Sequence, residues 1–381
     1  MIRFLRHLST KYVYSDRYFQ PIITLGVKGI DKLAPKEGSP SFDNQVFSST
    51  NNEVLKKIVN EFSNSGIQFL FGYGSGVFEQ SGYSASEKSS IQIDLIHVVE
   101  DGVKFHNVNM ATHSSHYSAI KYLPVGIVNH LQNLGAGIYF NPYVPMQSYL
   151  VKYGVMSMDK AVEDISEWNS LYLAGRLQKP VNYLIDNRTI RLLNQYNLKS
   201  ALSLAVLLMK EPYFDERQLY ETITRISYLG DIRYILGGEN PNKVKNIVSK
   251  QFDKFQVLYS LLVDYFVDRR YLVITGEAAS TSASASVSSV RQFYKNLSND
   301  DRVYLISKLP LNFRKKLYAF YIDKSIREIA RDPSLQDNLV KVIGSIVRWP
   351  SVTQLLKGVA TAGLLKSARY ALEKKLKAMR V

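Results

Sequence analysis

The chain has 381 residues, no cysteine, and 48 Lys and Arg against 33 Asp and Glu, a formal net charge of +15. That length accommodates two or three domains with their own cores, the missing thiols exclude disulfides, thiolate metal sites and cysteine nucleophiles, and the surplus of cations asks for a polyanionic partner: nucleotide, nucleic acid or acidic lipid. No run approaches the roughly twenty apolar residues of a membrane-spanning helix, so the chain can lie on a bilayer but is not expected to cross one.

At the start, MIRFLRHLSTKYVY carries Arg3, Arg6 and Lys11 with no acid before Asp16, and Ile2, Phe4, Leu5 and Leu8 fit one face of a helix. This is the pattern of a mitochondrial targeting segment; a basic disordered start is the plainer alternative. Pro35 to Asn52 reads as a linker, so residues 1–45 are assigned to leader and linker. Asn51 or Asn52 then caps a helix with Val54, Leu55, Ile58, Val59 and Phe62 on one face, ending near Gly66. Ile67, Phe69 and Phe71 alternate as in a strand. Directly after them, Gly72-Tyr73-Gly74-Ser75-Gly76 removes side chains where backbone must come close to something. A phosphate is the expected guest, received by freed backbone N–H groups and the Ser75 hydroxyl; a plain hairpin turn is the alternative. Beyond a polar loop from Ser81 to Ser90, Ile91, Ile93 and Leu95 face one way, and Gln92, Asp94 and Ile96 the other. Asp94 thus becomes a strand carboxylate beside the glycine turn, able to hold a divalent cation against the phosphates. A glycine-serine turn followed by a strand carboxylate resembles the nucleotidyltransferase superfamily. That superfamily usually carries two acids one residue apart, whereas Gln92 and Ile96 flank Asp94 at that spacing; a second metal ligand comes from elsewhere, or one metal suffices.

The stretch His106 to Tyr117, HNVNMATHSSHY, gathers three of the six histidines. His113 and His116 can share a helical face, but no cysteine or nearby acid completes a tetrahedral zinc set. Asn109, His116 and Tyr117 either supply neutral hydrogen bonds near a phosphate or form a polar helix start with satisfied side chains. Ile138 to Val144 and Tyr149 to Met156 are two strands joined through Pro145, and Lys152, inside the second, is positioned to neutralise a triphosphate as charge develops on the leaving group. A helix is expected from Asp159 through Leu177, with Arg176 and Lys179 at its end, where they offset the helix dipole or reach an anionic ligand.

From Thr189 to Phe266 the pattern gives three helices, 190–209, 216–229 and 244–266, with a short strand at Tyr271 to Ile274, a winged-helix-like set. The turn Tyr228 to Arg233 carries Asp231 and Arg233, as an internal ion pair or facing a cleft. The run AASTSASAS at 278–286 reads as a disordered loop, and a further helical block starts at Val290 and is interrupted at Pro350. In the tail, Leu365, Leu372, Leu376 and Met379 line one helical face, with Lys366, Arg369, Lys374, Lys375, Lys377 and Arg380 around the rest and only Glu373 opposing them. Such a basic amphipathic helix suits an anionic lipid interface; capture by a calmodulin-like partner or packing on the protein's own core are the alternatives.

Taken together, FGYGSGVFEQ at 71–80, IDLI at 93–96, NHLQNLGAGIYFNP at 129–142, VKYGVMSMD at 151–159, WNSLYLAGRLQKPV at 168–181 and YLGDIR at 228–233 resemble the translocator assembly and maintenance family of mitochondrial phosphatidate cytidylyltransferases. The resemblance implies an α+β chain with a nucleotidyltransferase domain at 46–188 and a mostly helical, winged-helix-like domain at 189–276; composition and periodicity alone add an Ala/Ser loop at 277–290, a helical region at 291–363 and the basic helix at 364–381. It implies the conversion of CTP and phosphatidic acid to CDP-diacylglycerol and pyrophosphate, with Mg²⁺, on the matrix face of the inner mitochondrial membrane, feeding cardiolipin synthesis. Carried onto this chain, Gly72, Tyr73, Gly74, Ser75 and Gly76 hold the triphosphate, Asp94 binds Mg²⁺ and Lys152 contacts phosphate. Asn109, His116, Tyr117, Arg176, Lys179, Asp231 and Arg233 lie in matching motifs and are assigned to nucleotide binding. The lipid phosphate is already an anionic nucleophile, so no strong general base is needed. A nucleic-acid-directed nucleotidyltransferase and a non-catalytic, membrane-bound assembly factor are the rival readings. No aromatic-basic ribonucleoprotein motif is present, so nucleic acid is not the expected partner.

Overall fold

The computed structural model describes residues 42–48, 52–62, 66–78, 92–235, 240–278 and 289–362. The leader, the Ser81 to Ser90 loop, most of the Ala/Ser run and the basic tail lie outside the described residues.

The first layer is a five-stranded mixed sheet: β1 Ile67–Tyr73, β2 Gln92–Val99, β3 Ile138–Met146, β4 Tyr149–Ser157 and β5 Asn182–Ile185, ordered β3-β4-β2-β1-β5. Only β2 and β4 run parallel; the other neighbours are antiparallel. Helices interleave as α1 Asn52–Asn60, α2 Ser75–Phe78, α3 Gly102–Thr112, α4 Val125–Asn133, α5 Met158–Glu167 and α6 Leu173–Leu177. Both faces of the sheet are covered, which is why its strands are apolar at nearly every position. Phe69, Phe71, Ile96, Val98 and Met156 pack under Ile165 and Leu173, while Leu70, Ile93, Leu95, Val151 and Val155 pack against Leu55, Ile58 and Phe105. The alternation expected around Asp94 therefore holds. The β3–β4 hairpin does not turn at Pro145, which is paired with Leu150 inside the ladder; it turns at Gln147 (φ 47°) and Ser148 (φ 66°), two left-handed residues whose twist suits a two-residue hairpin.

The helix expected from Asp159 through Leu177 is two helices. Trp168 and Leu171 take positive φ, 57° and 55°, and the buried Asp164 carboxylate organises the break. Its Oδ1 accepts the amides of Ser170 (2.7 Å) and Leu171 (2.9 Å) and the Ser170 hydroxyl (2.8 Å), and its Oδ2 accepts the amides of Leu173 (2.8 Å) and Ala174 (3.0 Å). Five donors on one carboxylate outweigh the helical bonds given up across 168–172.

The second layer follows as α7 Arg188–Leu208, β6 Tyr213–Asp215, α8 Glu216–Ile226, α9 Ile232–Ile235, α10 Lys243–Lys250, α11 Phe252–Asp268, β7 Leu272–Ala278 and β8 Val290–Lys295. The small antiparallel sheet has the order β6-β8-β7. Helix, strand, helices and then two strands, with the last strand in the middle, is a winged-helix arrangement. Residues 290–295, expected to begin a helical block, are its central strand: Val290 and Phe293 are buried there. The expected helix 244–266 is two, separated at Gln251.

Four further helices follow among the described residues: α12 Asn299–Ser307, α13 Leu311–Phe320, α14 Ile326–Arg331 and α15 Leu335–Ala362. They share one apolar cluster with α7, α8 and α11, from Leu198 to Val347, rather than forming a region of their own. The linker's end also joins this core: Phe47 packs into it, and the Asn44 side chain donates to the Leu258 carbonyl at 2.8 Å. Nor does Pro350 interrupt α15. One amide is lost there, yet the helix is held on both sides of the proline, by Leu339, Ile343 and Ile346 in the helical core and by Gln354 and Lys357 bonded to the carbonyl of Ile138 at 3.1 and 2.8 Å.

Candidate active site

The glycine turn is shaped by close approach. A Cβ on Gly76 would stand 2.1 Å from the carbonyl oxygen of Gln92, and one on Gly72 would meet Val77 at 2.9 Å, while Gly74 has φ +82°. Only glycine lets the turn lie this tightly against β2. The Ser75 backbone opens α2, and its side chain lies outside the described set.

Register then lines up three side chains across three strands, since Tyr73 pairs with Asp94 and Asp94 with Lys152. All three project to the same face. Asp94 Oδ1 is engaged by Lys152 Nζ at 3.4 Å and by the Gln92 amide at 3.1 Å. Its Oδ2 faces the turn, 3.9 Å from where a Gly74 Cβ would be. Lys152 sits over the Phe140 ring, 4.7 Å from its centroid. Its pairing with Asp94 keeps this strand lysine folded over the sheet.

On the other side of Asp94, the half-buried Arg176 guanidinium is 4.5 Å from the Tyr73 ring and 5.9 Å from that of Tyr172. Burial works against its charge, but Tyr73, Tyr228, Tyr172 and Asp94 together hold its pKa above the usual value. Among the described residues no carboxylate lies within ion-pair distance of it. The Tyr73 phenol is pushed upward by burial and by Asp94, and its hydroxyl has no partner among the described residues. A guanidinium stacked on rings with no acid and a neighbouring hydroxyl with no partner among the described residues can receive an anion.

Lys179 is placed next to this group but does not reach outward. Its Nζ donates to the Gly175 carbonyl and, at 2.9 Å, to Ser227 Oγ, tying α6 to the end of α8. Burial, then Arg176 and Lys243, push its pKa well below that of an ordinary lysine. Asp231 and Arg233 satisfy one another, with Nε–Oδ1 3.0 Å and Nη2–Oδ2 2.5 Å. Their turn is fastened to α15 through the Ile232 amide on Ser351 Oγ at 3.1 Å. Lys243, which the sequence did not distinguish from other lysines, lies 5.2 Å from the Tyr228 ring, to which Lys179 also comes, at 5.4 Å. Its only signal was its place at the start of a helix after Pro241-Asn242.

Asn109, His116 and Tyr117 are not brought together with Asp94. Tyr153 follows Lys152 and so points to the opposite face, where its hydroxyl meets Asn109 Nδ2 at 2.8 Å and His116 Nδ1 at 2.9 Å. Asn109 also donates to the Tyr117 hydroxyl at 2.9 Å, which lies 2.8 Å from His106 Nδ1, and His106 Nε2 meets Gln132 Oε1 at 2.9 Å. Since a carbonyl oxygen only accepts, His106 carries its proton on Nε2 and accepts the Tyr117 hydroxyl's hydrogen bond on Nδ1. Burial brings His106 and His116 down to about 4, His116 helped by His113, and lifts Tyr117 to about 12. This is a neutral network beneath β4. No group of three or more histidines and acids able to hold a metal occurs among the described residues.

Residues 55–377 match the family described as mitochondrial phosphatidate cytidylyltransferase. The chain is similar to proteins of that name from Saccharomyces cerevisiae (40% identity over 82% of this chain and 67% of the yeast protein), Schizosaccharomyces pombe (38%, over 84% and 81%) and Mus musculus (34%, over 84% and 93%).

Proposed function

The chain belongs to the family of mitochondrial phosphatidate cytidylyltransferases, and from that premise we propose that it joins CTP to phosphatidate at the Tyr73, Asp94 and Lys152 row, releasing pyrophosphate and forming CDP-diacylglycerol. The observation that carries the placement is the adjacency of Asp94 Oδ2 to the Gly74 bend, 3.9 Å from its Cβ position, with two cations flanking the carboxylate.

A phosphate oxygen of phosphatidate attacks the α-phosphorus of CTP, and the bond from that phosphorus to the bridging oxygen of the β-phosphate breaks. The nucleophile arrives already anionic, so the protein's work is alignment and neutralisation of charge. The bend's backbone amides and Arg176 take the triphosphate oxygens, and Lys152 supplies positive charge as the pyrophosphate departs. A lone carboxylate fits Mg²⁺ delivered with a nucleotide, because that ion is usually held by one or two carboxylates, substrate phosphates and water. Asp94 has one oxygen committed to Lys152 and Gln92 and the other turned to the bend, so Oδ2 is the atom that would hold it. There Mg²⁺ would screen the phosphates.

We place the enzyme on the matrix face of the inner membrane, where CDP-diacylglycerol feeds cardiolipin. The relatives' mitochondrial names, the basic first residues and the basic tail favour this, and among the described residues no helix is long and apolar enough to cross a membrane. A panel of labelled nucleoside triphosphates with phosphatidate as acceptor tests the reading. CTP alone gives a labelled lipid; equal use of all four, or no lipid product from any, overturns it.

A further inference from the structure

We infer that the folded body meets the bilayer directly, through an apolar surface made by the last turns of α15 and the segment 121–134, in addition to any contact by the basic tail. On α15, Trp349 is 66% exposed, Leu356 63% and Leu355 44%; Trp349 and Leu356, seven residues apart, share a helical face. The adjoining face of the same turns is locked down. Lys357 Nζ donates to the carbonyls of Gln132 (3.2 Å), Leu134 (2.8 Å) and Ile138 (2.8 Å), and Thr353 fills the space where Gly135 would carry a Cβ. Leu134, whose carbonyl takes part in that lock, is 41% exposed, and the segment that leads to it exposes Tyr122 80%, Leu123 44% and Ile127 43%.

Three observations select a lipid surface as the occupant. First, no Asp or Glu occurs from 102 to 158 or from 338 to 372, so the two segments that meet here present no negative side chain to an anionic headgroup. Second, the aromatic residues carry cations beside them: Lys121 Nζ is 5.2 Å from the Tyr122 ring, and Arg348 precedes Trp349. A ring at the headgroup level with a long cation next to it is the usual interfacial anchor. Third, α15 is described to residue 362, and the sequence that continues from it has Lys366, Arg369, Lys374, Lys375, Lys377 and Arg380 against Glu373 alone, so the patch leads into the chain's most cationic stretch.

The inference rests on a membrane lipid being the substrate, but its test does not use turnover. Of the two tryptophans, Trp168 is buried and Trp349 exposed, so a change in emission reports the patch. Full-length protein is titrated with phosphatidylcholine vesicles containing phosphatidate. The Trp349 emission shifts to the blue and is quenched by lipids brominated on their acyl chains, and Tyr122→Ser with Ile127→Ser weakens vesicle binding by about tenfold, as the loss of two partly inserted side chains demands. Turnover of a soluble short-chain phosphatidate stays unchanged in that variant, so a failure of the proposed reaction is seen separately. Unchanged Trp349 emission on vesicles that sediment the protein overturns the inference and leaves binding to the tail. A blue shift that grows with protein concentration without lipid, with a dimer in sedimentation velocity, overturns it in favour of a second copy.

Discussion

Lys152 and Tyr153 are neighbours on one strand and belong to different chemistries. Above the sheet, Lys152 joins Asp94 and Arg176 in a charged group whose Arg176 lacks an acidic partner among the described residues. Below it, Tyr153 joins Asn109, His116, Tyr117 and His106 in a network held uncharged by burial. The first side keeps charge available for a ligand; the second spends its polar groups on one another. On the proposed reading the contrast is a division of labour: one face would do the chemistry and the other fixes the strand that presents it.

Substitutions at adjacent rows should therefore separate activity from stability. The largest effect is expected from Asp94→Asn, which should lower CDP-diacylglycerol formation by about a thousandfold, or roughly 4 kcal/mol, with little change in the melting temperature; comparable losses in both would break the contrast. Arg176→Lys comes next, since a lysine neither forks nor stacks as a guanidinium does, and it should raise the KM for CTP by about 10- to 100-fold, measured by initial rates. Below the sheet, Tyr153→Phe strands His116 Nδ1 and one Asn109 bond and should cost about 1–3 kcal/mol in denaturant unfolding, while kcat/KM of the folded protein stays within about threefold.

The last effect, small only near neutrality, is one of pH. Burial holds His97 at about 3 and His106 at about 4, below the 6.5 of an unfolded histidine. Under pH 6.5 the unfolded chain binds protons that the folded one refuses, so stability is complete above that value and falls as the solution is acidified. Each of the two histidines contributes a slope of up to about 1.4 kcal/mol per pH unit between there and its folded pKa. His97→Leu should flatten the curve, as read from urea midpoints across the range, and an unchanged slope would show that His97 titrates freely in the native state.

How much of this was legible depends on how local each signal is. The glycine bend, the parity that turned Asp94 away from Ile93 and Leu95, and the strand around Lys152 all depend on neighbours a few residues apart, and were readable. Asn109, His116 and Tyr117 were assigned to nucleotide binding by their place in matching motifs, with satisfied side chains at a polar helix start as the alternative, and neither a motif nor its composition reports a face. Their place was decided by Tyr153, some forty residues away. The break at 168–172 was invisible because the apolar spacing runs through it unaltered, and the carboxylate responsible, Asp164, acts through contacts formed only when the helix has already bent back. Lys243 had no distinguishing neighbour at all.

The run of α15 past Pro350 has a mechanical consequence. The carbonyl of Ile138 receives both Gln354 and Lys357 from that rod, and two residues further along β3 the Phe140 ring lies under the Lys152 ammonium. The rod thus braces β3 two residues from the ring that carries the Lys152 ammonium, and on the proposed reading it steadies the strand edge beside the triphosphate.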